Sequence, residues 1–258
     1  MCLLVFSWQP EARQRLILAG NRDEFHDRPA AAADWWDDGI VGGKDLRAGG
    51  TWLAARRDGR FAVVTNYREP LEEGRGPRSR GELVTRYLQG TMQPDAYARE
   101  VAGRAQRYAG FNLLLGDPRA LVYLSNRGRG PERLEPGVYG LSNHLLDTPW
   151  PKLERTRARF EALLAAGPAT PALLDMLADR TPVAPGELPD TGLPPAWERA
   201  LSAPFIVSPR YGTRCSTVIR MLENEAMELT ERRFDADGQI TGEVDFHFPI
   251  QPFQEPAR

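Results

Sequence analysis

The apolar positions of this chain fall into short runs with two different periods. Cys2 to Trp8 is a continuous apolar run of strand length, Gln9 to Arg13 carries turn chemistry, and Arg15 to Asn21 returns as a second apolar run. Folding that hairpin about residues 11 and 12 pairs positions whose numbers sum to about 23 or 24. Cys2 then lies opposite Asn21 and Arg22, so a thiol meets the polar block Asn21-Arg22-Asp23-Glu24. Thr51 to Arg56 and Arg60 to Asn66 form a second hairpin across Asp58-Gly59. Phe111 to Leu115 and Ala120 to Ser125 form a third around Gly116-Asp117-Pro118, and Gly137 to Ser142 reads as a further strand.

Helical spacing takes over elsewhere. Ser79 with Glu82 three residues on reads as a capping box opening a helix over 79–89, and a second helix is expected over 94–108. In 151–166, Leu153, Thr156, Phe160, Leu163 and Leu164 share one face, with proline in the first turn. A shorter helix covers 171–178, and the five prolines of 181–196 predict a long loop or lid. Three strands close the chain over 213–222, 227–234 and 239–248, followed by a tail, 249–258, expected to be mobile. Residues 26–48 show no period and read as irregular, with Trp35 and Trp36 either capping the core or lining a pocket. Segments 68–79 read as loop. The order of hairpins, helices, hairpin, helices and strands predicts a layered α+β fold in a single domain spanning 1–258.

Composition narrows the function. A net charge of −2 gives no basic field for nucleic acid. Of the 33 basic residues only Lys44 and Lys152 are lysine, a bias that points to a GC-rich, bacterial coding sequence. Two cysteines argue against a disulfide framework, and no signal-peptide pattern is visible, so a cytoplasmic protein is expected. No apolar run approaches the roughly 20 residues of a membrane span. Three scattered histidines and no Cys-x-x-Cys predict no metal site, and Gly39 to Gly50 does not fit a dinucleotide fingerprint.

Chemistry concentrates at a few positions. Removal of Met1 would leave Cys2 with a free α-amine whose ordinary pKa is about 7.7–8.0, so one residue would hold nucleophile and base together. Arg22 opposite would stabilise its thiolate. The alternative is a small apolar residue in a strand. The block Asn21 to Glu24 ends an apolar strand, where a scaffold can hold a site that solvent reaches; it is equally what a strand emerging into water looks like. Asn66 and Asn143 each end a strand, where a side-chain amide can donate to an oxyanion, or where asparagine simply favours the turn. Arg214 and Cys215 are neighbours in a strand and are expected on opposite faces, so only one of them points to a site.

Taken together, Met1-Cys2, Gly20 to Phe25, Gly49-Gly-Thr-Trp-Leu53, Thr65-Asn66-Tyr67, Leu141-Ser-Asn143 and Gly212-Thr-Arg214 resemble the NRDE-motif family, also named for transport and Golgi organisation. That family in turn resembles N-terminal nucleophile hydrolases of the choloylglycine hydrolase and penicillin V acylase type. The resemblance implies a four-layer αββα sandwich. It implies catalytic roles for Cys2, Arg22, Asp23, Asn66, Asn143 and Arg214. Asn21, Glu24, Trp35, Trp36, Tyr67 and His144 are expected to contribute to binding. The acylases carry their Arg and Asp three positions apart, whereas Arg22 and Asp23 are adjacent and belong on opposite faces of an extended strand. Two functions follow. One is a Cys2-dependent amidohydrolase or thioesterase acting on a small acylated substrate, which needs no cofactor and requires loss of Met1. The other is a non-catalytic protein that binds and traffics haem, an acyl-CoA, lipid or other hydrophobic metabolite in the same pocket. In it His26, His144 or a cysteine thiolate would meet the haem iron. Nothing in the strands specifies an oligomeric state.

Overall fold

Thirteen strands and five α-helices follow one another in a computed structural model that describes residues 2–69, 77–223 and 225–251. The strands are β1 (Cys2–Trp8), β2 (Gln14–Phe25), β3 (Ala30–Trp35), β4 (Ile40–Asp45), β5 (Leu53–Arg56), β6 (Phe61–Asn66), β7 (Phe111–Gly116), β8 (Leu121–Ser125), β9 (Glu132–Arg133), β10 (Gly137–Leu141), β11 (Tyr211–Leu222), β12 (Ala226–Phe234) and β13 (Ile240–Pro249). The helices are α1 (Gly81–Gln89), α2 (Pro94–Ala102), α3 (Pro151–Ala166), α4 (Thr170–Leu177) and α5 (Pro195–Ala200).

The first hairpin folds in the expected register, with Cys2 opposite Arg22 and Leu3 opposite Asn21. It forms the middle of a six-stranded sheet in the order β10-β1-β2-β11-β12-β13. The remaining strands form a seven-stranded sheet in the order β3-β4-β5-β6-β7-β8-β9, and every pairing in both sheets is antiparallel.

Alternation along β1 explains why its apolar run is unbroken. Leu4, Phe6 and Trp8 point between the sheets, onto Leu53, Phe61, Val63 and Leu114. Leu3 and Val5 point the other way, into a cluster with Phe160 of α3 and Leu173, Leu174 and Leu177 of α4. A strand buried on both faces needs no polar positions. The second sheet does the same: Ala54, Ala62, Val64, Leu113 and Leu115 pack against Leu83, Val84 and Tyr87 of α1 and Tyr97 and Val101 of α2. The result is a four-layer αββα sandwich. Arg60 fastens one outer layer, donating from Nη1 to the carbonyls of Tyr87 (3.1 Å) and Gly90 (2.6 Å) at the end of α1.

Several elements differ from their sequence reading. Residues 26–48 are not irregular: β3 and β4 form a hairpin whose turn closes at Gly39, held at φ 74°. The alanine run of β3 hides it, because alanine carries no strand signature and a register shift between Ala31 and Asp34 breaks the alternation. Ser79 does not form a capping box. The Glu82 carboxylate accepts instead from Tyr108 Oη at 2.5 Å and pairs with Arg78 at 2.8 Å. The helix expected to reach 108 stops at Ala102, where Arg104 N–H bonds three residues back to Val101 and the chain tightens into a 3₁₀ turn. Inside the proline-rich segment, α5 begins at Pro195, a residue preset for a first helical turn. The C-terminal segment is tied down at its start, with Ile250 and Gln251 donating to the carbonyls of Glu225 and Arg57. Residues 252–258 and part of the expected 68–79 loop, 70–76, lie outside the described residues, as does Met1.

Gly20 shows how tightly β2 is packed against β1. A Cβ there would come within 2.7 Å of Leu4 Cδ1 and 2.9 Å of the Leu3 carbonyl, with the Trp52 ring next at 3.5 Å. Backbone leaves no room to yield, so Gly20→Ala is expected to destabilise the fold by about 1–3 kcal/mol. Urea unfolding reads this directly; an unchanged midpoint would mean that Leu4 and β1 can yield at this point.

Candidate active site

Strand β2 carries the block Asn21 to Glu24 across the middle of the first sheet, and its alternation divides the four residues between two layers. Arg22 and Glu24 face the space between the sheets, while Asn21 and Asp23 face the helices α3 and α4. On the inner side a cavity of about 510 Å³ opens between the sheets. Its walls include Cys2, Arg22, Glu24, Arg214 and Cys215 from the first sheet. Lys44, Asp45, Trp52 and Asn66 face them, and Arg78 to Gly81 close one side at the start of α1.

An ion-pair network braces one wall. Arg28 Nε meets Asp45 at 2.6 Å and Glu24 at 3.8 Å; Arg22 Nη2 lies 3.7 Å from Glu24 and 3.9 Å from Asp45. Two guanidinium groups thus balance two carboxylates. Arg214 and Cys215 both reach the cavity, contrary to simple alternation. The ladder between β2 and β11 slips between Thr213 and Cys215, so Arg214 is an extra residue in a β-bulge. Its Nη1 donates to the carbonyls of Phe25 (2.9 Å), Arg28 (3.2 Å) and His26 (3.3 Å).

Burial governs the site's protonation. It pushes the Cys2 thiol up, and the Asp23 carboxylate adds to this; Arg22 and the Asp23 backbone N–H pull the other way. Burial also raises Cys215 well above its ordinary range, with Glu231 adding to it, and raises Glu231 itself.

Asp23 lies on the other face. Its Oδ1 accepts from Thr213 Oγ1 at 2.7 Å, and burial raises its pKa against the pull of Lys152. Behind it Lys152 Nζ donates to the Leu201 carbonyl at 2.8 Å, and Arg68 pairs with Glu198 at 2.6 Å, all buried. The acylase-like pair of Arg and Asp is therefore split: Arg22 offers its side chain to the cavity, and Asp23 offers its backbone N–H.

The other sequence candidates divide. Asn66 lines the cavity. Continuing the register that pairs Leu4 with Leu141 brings Asn143 beside Cys2, but its Nδ2 donates to the Asn66 carbonyl at 2.9 Å, so its amide holds the end of β6 rather than facing the cavity. Asn21 is not a binding residue of this cavity: its Nδ2 donates to the Leu177 and Pro204 carbonyls, both at 2.9 Å, and its Oδ1 accepts from Ser216. Trp35 and Trp36 are also elsewhere. Trp35 packs edge-on against Phe246 and Phe248 under Arg57, and Trp36 donates to the Gly42 carbonyl at 3.0 Å. Tyr67 and His144 pack against each other with tilted rings, His144 likewise against Trp150, and the Arg68 guanidinium lies over the Trp150 ring, away from the cavity. Neither His26, bonded to the Ser208 carbonyl, nor His144, bonded to Thr148, lines it. Sequence reading missed Arg28, Asp45, Trp52, Arg80, Glu231 and Arg233 on its walls. Only Trp52 carried a signal, its place in Gly49-Gly-Thr-Trp-Leu53. Among the described residues no cluster of His, Cys, Asp and Glu has metal-site geometry, and no helix is long and apolar enough to cross a membrane.

These features define an αββα protein with a cysteine at the start of its first strand and an arginine-rich cavity between its sheets. Residues 1–236 match the family described as Transport and Golgi organisation 2, and the chain belongs to that family. It is 38% identical over 257 residues to the Transport and Golgi organization protein 2 homolog of Bos taurus, with 90% of this chain and 92% of that protein covered. The mouse homolog, from Mus musculus, is 35% identical over 276 residues, covering 97% and 100%. The Drosophila melanogaster protein is 28% identical over 261 residues, covering 90% and 91%. These relatives are animal proteins and lend no support to the bacterial source expected from the arginine bias. Solved structures with similarity include a mutant conjugated bile acid hydrolase from Clostridium perfringens, with a TM-score of 0.46 at 7% identity and coverage of 100% and 99%. Another is a Caenorhabditis elegans N-acylethanolamine-hydrolyzing acid amidase ortholog, with a TM-score of 0.38 at 11% identity and coverage of 84% and 92%.

Lys152 supplies a test of the layer behind the site. Burial, with Arg68 adding to it, lowers its pKa from 10.5 to about 7, against the pull of Asp23, Cys2 and Glu198. Below that value both folded and unfolded chains carry the proton, and folding bears the full cost of burying it. Between about 7 and 10.5 the unfolded chain binds the proton and the folded chain does not, so this residue's contribution to stability rises with pH. Comparison with Lys152→Met by urea unfolding at successive pH values should show wild type gaining on the variant across that window. A difference that stays flat with pH would mean that Lys152 keeps its proton.

Proposed function

We propose that this protein is a Cys2-dependent amidohydrolase or thioesterase acting on a small acylated substrate. The observation that carries the reading is Cys2 on the wall of a cavity between the sheets, with Arg22 directly across the strand pair and Asn66 and Arg214 on the same walls. The resemblance of the Cys2, Arg22, Asn66 and Arg214 segments to N-terminal nucleophile hydrolases supports it.

Once Met1 is removed, the Cys2 amine takes the thiol proton and the sulfur attacks the acyl carbon. The carbonyl electrons move to oxygen, facing the polar wall at Asn66. As they return, the C–N or C–S bond breaks, and the leaving group takes the proton from the ammonium. Water, deprotonated by the same amine, then releases the acid from the thioester. The amine is needed because burial keeps the resting thiol protonated. That same protonated thiol favours a second reading, in which the cavity binds haem or another hydrophobic metabolite without turnover.

The two readings separate on a panel of amide and thioester substrates, run on wild type and Cys2→Ala with loss of Met1 verified by mass. Cys2→Ala should abolish turnover while costing only about 1 kcal/mol of stability. Cys2→Ser should retain little of the rate, because a hydroxyl is the weaker nucleophile near neutral pH. The wild-type rate should rise through about pH 7–8 as the amine deprotonates. Equal rates in wild type and Cys2→Ala, or no turnover by correctly processed wild type, would favour the binding protein.

A further inference from the structure

The cavity is electropositive in a chain whose net charge is −2. Seven basic residues line it: Arg22, Arg28, Lys44, Arg78, Arg80, Arg214 and Arg233. Arg22 and Arg28 are balanced by Glu24 and Asp45, and Arg78 by Glu82. Four remain. Arg214 and Arg233 donate to backbone carbonyls, of Phe25, His26 and Arg28 and of Ala30. Arg80 donates to the Gly110 carbonyl at 2.9 Å, and the Lys44 ammonium lies 5.1 Å from the centre of the Trp36 ring. Among the described residues none of these four has a carboxylate within ion-pair distance. Of the acids left on the wall, Glu231 accepts the Ala33 N–H, and Asp23 turns its carboxylate to Thr213 on the far face.

The start of α1 adds to the imbalance. Ser79, Arg80 and Gly81 line the cavity, and no side chain caps the helix there. Arg78 and Arg80 stand at that helix start, where a cation is least favoured. Such a cluster loses energy through mutual repulsion and desolvation unless an anion fills the space between.

We infer that the cavity takes its substrate by an anionic group, a carboxylate or a phosphate, held by Arg214, Arg233, Lys44 and Arg80 beside Cys2. This rests on the hydrolase reading for the position of the acyl group, whereas the grip on the anion needs no turnover. A substrate of this class is an acyl compound with a negative charge a few bonds from the scissile one.

Two thiol reagents of nearly the same size, iodoacetate and iodoacetamide, differ in charge and test this without catalysis. The rate of alkylation of Cys2 by each is followed by peptide mass spectrometry, which separates it from Cys215. The ratio of the two rates, compared with that for 2-mercaptoethanol, cancels the thiolate fraction. The ratio at Cys2 should favour iodoacetate by about tenfold over the small thiol at low salt, through focusing by the cationic walls. It should fall several-fold on going from about 50 mM to about 500 mM salt, and on Arg214→Gln combined with Arg233→Gln. A ratio equal to that of 2-mercaptoethanol and insensitive to salt would overturn the inference. Should Cys2 resist both reagents, calorimetric titration of wild type decides. Binding of inorganic pyrophosphate or of succinate, weakened about tenfold in the double variant, supports the anion subsite, and the preferred ion tells phosphate from carboxylate. Binding of neither overturns it. Failure of the hydrolase reading has a separate signature, equal turnover by wild type and Cys2→Ala, and leaves the alkylation ratio standing.

Discussion

Strand β2 is hydrogen-bonded along both edges, to β1 and to β11, and this leaves its side chains no choice but to alternate. Four consecutive polar residues consequently serve two layers. Arg22 and Glu24 build the cavity with Asp45 and Arg28. Asn21 does not line it but ties the end of α4 and the Pro204 segment to the sheet, and Asp23, although part of the wall, turns its Oδ1 to Thr213. The motif is thus half chemistry and half carpentry. Where the cavity requires two neighbouring side chains on one face, the constraint is relieved on β11, by a bulge at Arg214 rather than by any distortion of β2.

Burial and charge then divide the work by residue type. Desolvation drives Cys2, Asp23, Lys152, Cys215 and Glu231 toward their neutral forms. Arginine alone keeps its charge in such surroundings, because its guanidinium does not give up a proton in proteins. The permanent charge of the cavity is therefore its arginines. A resting thiol kept protonated among fixed cations is poised to ionise when a base arrives. That is the condition a self-supplied amine would meet.

Much of the architecture was legible because it depends on local signals. The first hairpin, the Asp58-Gly59 turn and α3 with its proline start each announce themselves within a few residues. The β3–β4 hairpin did not, since alanine and glycine have no β signature and its bulge erases the period. The capping box at Ser79 failed for a different reason: Glu82 found a stronger tertiary partner in Tyr108. In the site, Cys2 and Arg22 were visible through register alone. Arg80 and Arg233 were not, because an isolated arginine in a polar stretch looks the same whether it faces solvent or a cavity. Tyr67 and His144 were drawn toward the site by proximity in sequence to motif residues, and the two tryptophans by the cost of leaving indoles exposed; packing took all four elsewhere.

The two cysteines occupy one row of the first sheet, with Arg22 between them on the intervening strand. Two interstrand steps separate their backbones by about 9.6 Å, beyond the limit of about 7 Å between Cα atoms that a disulfide can bridge. Oxidation therefore cannot lock one thiol to the other without pulling β1 and β11 off β2. Each sulfur meets an oxidant alone, and Cys2, at the cavity wall, has no resolving partner in its own chain. Its oxidised form must be rescued from outside, by a small thiol able to enter the same cavity.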